Sequence, residues 1–123
     1  MKAAQFSRFG GPEVLEIVDI PDPHPGPGQV RIVVHAAGIS ATDAKLRSGE
    51  VNFGEKLPQT TGRDVAGVVD ELGEGVTDVA VGDRVFGVSD DGGGAAQLAL
   101  ITIRAPVPPS PRFRRRRRAP RRA

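Results

Sequence analysis

The chain has 123 residues, enough for one domain with a modest core and too few for two ordinary ones. Aromatic residues make up only 4%, Gly and Pro number 16 and 11, and Cys is absent; this favours a loop-rich β domain and excludes disulfides, thiolate metal sites and a cysteine nucleophile. The net charge of +2 hides a division: residues 1–111 carry 9 Lys/Arg against 15 Asp/Glu, whereas residues 112–123 carry 8 Arg and no acid.

Residues 2–6 are short and mostly apolar and are expected to pair as an edge strand. Phe9-Gly10-Gly11-Pro12 then breaks the chain with turn chemistry. Residues 14–20 alternate and read as a second strand, with Leu15 and Ile17 on one side and Glu16, Val18 and Ile20 on the other. The four prolines within residues 21–28 remove backbone donors and give an extended connector.

Residues 29–37 carry the clearest strand pattern. Val30, Ile32, Val34 and Ala36 share one face, and Arg31, Val33, His35 and Ala37 the other. Gly38-Ile39-Ser40 turns the chain into a short helix over residues 41–47, with Ser40 or Thr42 available as N-cap and Gly49 as its stop. Residues 51–61 read as an irregular loop. Residues 64–72 form a β-branched strand, and residues 84–88 another short strand after Val81-Gly82-Asp83. Residues 95–103 are apolar and extended toward their end. The pattern as a whole predicts a mainly β domain with short helices, built as a small barrel or sandwich.

The N-terminus shows no apolar run of signal-peptide length, and no segment approaches the roughly 20 apolar residues of a membrane span, so a soluble, cytoplasmic protein without membrane contact is expected. His24 sits in the Pro-rich connector and reads as solvated; His35 reads as structural rather than as a general base. Asp91-Gly92-Gly93-Gly94 lacks the strand-loop-helix setting of a phosphate cradle.

Several blocks resemble, in order and spacing, the zinc-free quinone oxidoreductase-like branch of the medium-chain dehydrogenase/reductase superfamily. They are Phe9-Gly10-Gly11-Pro12-Glu13-Val14-Leu15, Pro25-Gly26-Pro27-Gly28-Gln29-Val30, Val34-His35-Ala36-Ala37-Gly38-Ile39, Asp43-Ala44-Lys45-Leu46-Arg47-Ser48-Gly49, Gly62-Arg63-Asp64-Val65-Ala66-Gly67-Val68-Val69 and Val81-Gly82-Asp83-Arg84-Val85. The resemblance covers roughly residues 1–110 and implies a GroES-like β-barrel, the alcohol dehydrogenase-like N-terminal domain, with the Rossmann domain missing. Gly62 and Gly67 then serve close backbone approach, and Gly82-Asp83 resembles a hairpin turn.

In full-length members such a domain covers a cleft whose other wall holds NADPH, and the chemistry is hydride transfer to a quinone or an activated alkene or carbonyl. The resemblance places Ser40, Thr42 and Arg63 toward the cofactor. Thr42 aligns with a proton-relaying hydroxyl of zinc alcohol dehydrogenases, which makes it the catalytic candidate; an N-cap is its structural alternative. Asp43 reads as a cap or an internal partner. Arg63 is read either as a contact to a cofactor phosphate or, preferred, as the ion-pair partner of Asp64. Zinc-dependent relatives place Cys and His where Ser40 and Arg63 stand; neutral Ser is a poor zinc ligand and Arg cannot become one, so no metal is expected.

Past Pro111 the resemblance ends. Residues 111–123 form an Arg-rich tail too charged to pack, expected to be disordered and to bind no nucleic acid specifically. Ala codons in a GC-rich run read in a shifted frame give Arg, so the tail is read as a frameshift product. Three readings stand at this point: a fragment of an NADPH-dependent quinone oxidoreductase-like enzyme, itself inactive and unable to bind NADPH alone; a non-catalytic binding module with a basic tail; and a non-functional remnant. Loss of the opposite wall is expected to expose apolar surface and favour self-association.

Overall fold

The computed structural model describes residues 1–54 and 56–103, and the Arg-rich segment 111–123 lies outside them. The described chain forms β1 (Lys2–Phe6), a 3₁₀ turn (Pro12–Val14), β2 (Leu15–Asp19), β3 (Gln29–Ala37), α1 (Ala41–Ser48), β4 (Gln59–Thr60), β5 (Asp64–Leu72), β6 (Arg84–Val88) and β7 (Leu98–Thr102). The expected mainly β domain is what forms: a three-stranded sheet in the order β2-β1-β4 and a four-stranded sheet in the order β6-β5-β3-β7. Every strand pair is antiparallel.

β1 is not an edge strand. It lies between β2 and β4, and an Ala3–Ala96 bridge also joins it to the segment entering β7. Ala3 and Phe6 are buried, and the Ala4 backbone is paired on both counts, its N–H to Ala95 O at 2.9 Å and its carbonyl from Thr61 N–H at 3.1 Å. Apolar content alone did not reveal this position, because β2 covers one side from nearby in the chain while the pairing on the other side comes from segments more than fifty residues away. The Thr60 end of the expected irregular loop is drawn into the same sheet as β4.

β3 and β5 make the centre of the larger sheet. Val30 and Ile32 are fully buried and pack with Val65, Val69, Ala99 and Ile101, with Val76, Val79 and Val85 closing over them. The expected alternation along β3 holds as far as Val34. A register shift between Val34 and Ala36 then breaks it and leaves Ala36 exposed. Gly67 faces Val34 in the register, and a Cβ there would strike the Val33 carbonyl oxygen, so the two central strands meet this closely only because the residue is glycine.

Gly82-Asp83 is not a two-residue hairpin. The β5–β6 connection runs from Gly73 to Asp83, and the turn before β6 closes with Asp83 N–H on Ala80 O at 3.1 Å. Gly82 N–H donates to Val69 O, and Asp83 O accepts from Val69 N–H, so this turn extends the β5–β6 ladder. Ser89, buried, ends β6: its N–H donates to Arg63 O at 2.7 Å and its hydroxyl accepts from Gly93 N–H at 3.2 Å. Among the described residues no helix is long and apolar enough to cross a membrane.

Candidate functional site

The short helix α1 is held by its ends. Ser40 is its N-cap residue, and the Ser40 N–H donates to Asp43 Oδ2 at 2.9 Å. Gly49 stops it in the left-handed region at φ 82°, its N–H on Leu46 O. Thr42 is therefore the second residue of the helix and not its cap. It is half-buried.

Asp43 does more than cap. Its second oxygen, Oδ1, accepts from Gly62 N–H at 3.2 Å, so one carboxylate joins the start of α1 to the residue before Arg63. A second tie runs alongside it, from Gly38 N–H to Asp64 O at 2.7 Å. Gly62 itself has φ 84° and lies so close to Ala95 that a Cβ would stand 2.8 Å from the Ala95 nitrogen. These backbone ties bring the Ser40–Asp43 segment and the Gly62–Asp64 segment to one edge of the domain.

Arg63 forms no ion pair with Asp64. Neighbours on an extended chain point to opposite faces, so the pairing expected from adjacency is geometrically excluded. Asp64 instead lies beside Gly38. Arg63 lines a cavity of about 310 Å³ together with Asp43, Thr61 and Gly62; Ser40 and Thr42 do not line it. The structure thus places Ser40, Thr42 and Arg63 on the same tied edge, and only Arg63 within the cavity.

The glycine-rich turn is engaged internally. Gly92 N–H donates to Ser89 O and Gly94 N–H to Gly62 O at 2.8 Å, which leaves these amides committed to the fold. His24 is exposed, as expected, and its Nδ1 lies 3.1 Å from Glu71 Oε2. His35 is exposed at the β3 register shift. Among the described residues no group of three or more His, Asp and Glu is assembled that could hold a metal ion.

Sequence reasoning missed the most connected side chain, Arg31. Its Nε and Nη2 donate to the two Asp70 oxygens at 2.9 and 3.0 Å, and Nη1 reaches Glu71 Oε2 at 3.0 Å and Pro23 O at 3.1 Å. The bidentate bond to Asp70 raises the Arg31 pKa above its ordinary value. A register shift at Arg31 sets Asp70 and Glu71 together against one strand residue, and no spacing in the sequence announces that shift.

The profile of the alcohol dehydrogenase GroES-like domain matches residues 26–103. Over 101 residues, 81% of this chain, the sequence is 46% identical to a quinone oxidoreductase from Sus scrofa and 44% identical to one from Homo sapiens. Among solved structures, the quinone oxidoreductase from Coxiella burnetii superposes with a TM-score of 0.78 at 38% identity, covering 83% of this chain and 34% of that one. An Escherichia coli quinone oxidoreductase complexed with NADPH superposes with a TM-score of 0.77 at 31% identity, covering 83% and 31%. The chain spans about a third of the length of the curated relatives it matches.

Proposed function

Because the chain belongs to the alcohol dehydrogenase GroES-like domain family, in the quinone oxidoreductase branch of the medium-chain dehydrogenase/reductase superfamily, we propose that it is the acceptor-side wall of an NADPH-dependent reductase of quinones or activated alkenes and carbonyls. The observation that carries this reading is the 46% identity over 81% of the chain to a quinone oxidoreductase. Thr42, half-buried near the start of α1, fits contact with a polar dinucleotide. NADPH, when bound, supplies the hydride.

In this reading Ser40 and Thr42 form the cofactor-facing rim. Thr42 holds a proton at Oγ1 where a reduced oxygen needs one. Asp43 keeps the two segments at a fixed separation. One wall of a cleft does not orient two reactants, so the 123 residues by themselves bind NADPH too weakly to turn over.

The test exchanges residues 1–103 for the matching part of a full-length relative. We expect a folded chimera that oxidises NADPH with a quinone, and Thr42→Val to lower kcat by about tenfold to a hundredfold. A chimera that folds and binds NADPH yet reduces no quinone, alkene or carbonyl refutes the reading. Enzyme-like turnover of quinone by the isolated 123-residue chain refutes the one-wall argument.

A further inference from the structure

The cavity beside Arg63 has a chemical polarity of its own. Its lining includes the apolar Phe6, Leu46 and Pro58, and the polar Thr60, Arg63 and Lys56. At about 310 Å³ it lies at the lower end of the roughly 300–1,000 Å³ of small-molecule sites. Neither Arg63 nor Lys56 forms an ion pair among the described residues. Of the two acids lining the cavity, Asp43 is already committed to two backbone N–H groups and Asp91 is exposed. The Arg63 backbone is fixed by the bond from Ser89 N–H. A half-buried arginine with a lysine lining the same space, beside apolar side chains, is the arrangement that receives an oxyanion attached to a flat apolar body.

We infer that this cavity is an acceptor subsite for a quinone or enone bearing one anionic oxygen group, a carboxylate or sulfonate, which Arg63 and Lys56 hold while the ring lies against Phe6, Leu46 and Pro58. Arg63 presents the planar fork that matches such a group; Lys56, more exposed, adds a screened point charge. The inference rests on the reductase reading only for calling the ligand an acceptor. The subsite exists without cofactor, so its binding is measured on the isolated chain.

The experiment titrates the 123-residue chain with naphthoquinone sulfonate and, separately, with menadione, which carries a methyl in place of the anion, and follows the backbone amides of residues 60–63 by NMR. The sulfonate is expected to bind more tightly than menadione and to lose about tenfold in affinity in Arg63→Gln and about threefold in Lys56→Gln. Arg63→Lys restores part of the loss, and menadione binding is unchanged in all three variants. Thermal unfolding of each variant checks that it is folded. Equal affinity for the two quinones, sulfonate binding indifferent to Arg63→Gln, or no binding of either overturns the inference. So does competitive displacement of the sulfonate by NADP, which assigns Arg63 to a cofactor phosphate. A chain that holds the sulfonate through Arg63 while the chimera stays inert refutes the reductase reading and leaves the subsite standing.

Discussion

Replacing Gly67 by alanine is the sharpest test of how the two central strands are packed. The added Cβ meets the Val33 carbonyl oxygen in direct collision, and also stands 2.9 Å from the Val33 carbonyl carbon and 3.2 Å from Val34 Cα. All three obstacles are backbone atoms of β3 in the middle of the β3–β5 ladder, so no side chain can rotate away. Overpacking of this kind costs about 3 kcal/mol, the top of the usual range, because the strand itself must shift. Gly67 does not occupy a positive φ, so alanine brings no backbone strain and recovers about 0.5–1 kcal/mol from the unfolded chain. The net loss is therefore about 2 kcal/mol or more, which lowers the thermal midpoint of a domain this size by about 8–16 °C. Gly26→Ala is the control: there the nearest atom to a Cβ is Gln29 Oε1 at 3.4 Å, and the expected change is within about 0.5 kcal/mol. Urea and thermal unfolding followed by circular dichroism measure both. A Gly67→Ala variant as stable as Gly26→Ala would falsify the close-approach argument.

Other substitutions probe the ties around the site. Arg31→Met removes the partner of Asp70 and Glu71 and the donor to Pro23 O, and is expected to cost about 2 kcal/mol in urea unfolding, with a smaller loss in high salt. Asp43→Asn keeps one acceptor oxygen where two backbone N–H groups need one each, so a loss of about 1 kcal/mol is expected, together with faster amide exchange at Gly62; unchanged exchange there counts against the bridge. Asp22 is held below the usual carboxylate range by its hydrogen bond from, and attraction to, the Met1 ammonium. Its folded value is depressed, so its contribution is present above the unfolded carboxylate value and is lost as pH falls through the folded one. N-terminal acetylation should flatten that acid limb of the stability profile.

The larger sheet was legible because its information is local. Val30, Ile32 and Val34 alternate, Val65, Gly67 and Val69 alternate, and both runs are bounded by glycine or proline, so strand position and inward face follow from period alone. What failed was whatever depends on partners distant in the chain. β1 has the composition of an edge strand and the position of a central one, because Gln59–Thr60 and Ala95–Gln97 both reach it. The alternation of β3 was expected to include Ala36, and the register shift after Val34 removed it. The extra residue on β3, His35, is an ordinary strand residue and gives no signal of the shift, although Gly67 stands opposite Val34 there.

For the candidate site the same division separates residue type from residue contact. Ser40, Thr42 and Arg63 were named through a resemblance that fixes positions along the chain, and adjacency then suggested a wrong partner for Arg63. Strand geometry corrects it: Arg63 and Asp64 diverge, and the carboxylate that reaches the Arg63 segment is Asp43, nineteen residues earlier, through the Gly62 amide. Asp43 reads from the sequence as a cap or an internal partner; it is both, and the capping half of its role is local. The other half needs Gly62 at φ 84° to turn its N–H toward the helix, and no helix-start pattern contains that turn. The consequence is chemical. With Asp43 consumed by backbone amides and Asp64 facing elsewhere, Arg63 keeps its charge for a ligand, and an uncharged side chain at residue 63 should leave the fold intact while removing the anion preference of the cavity.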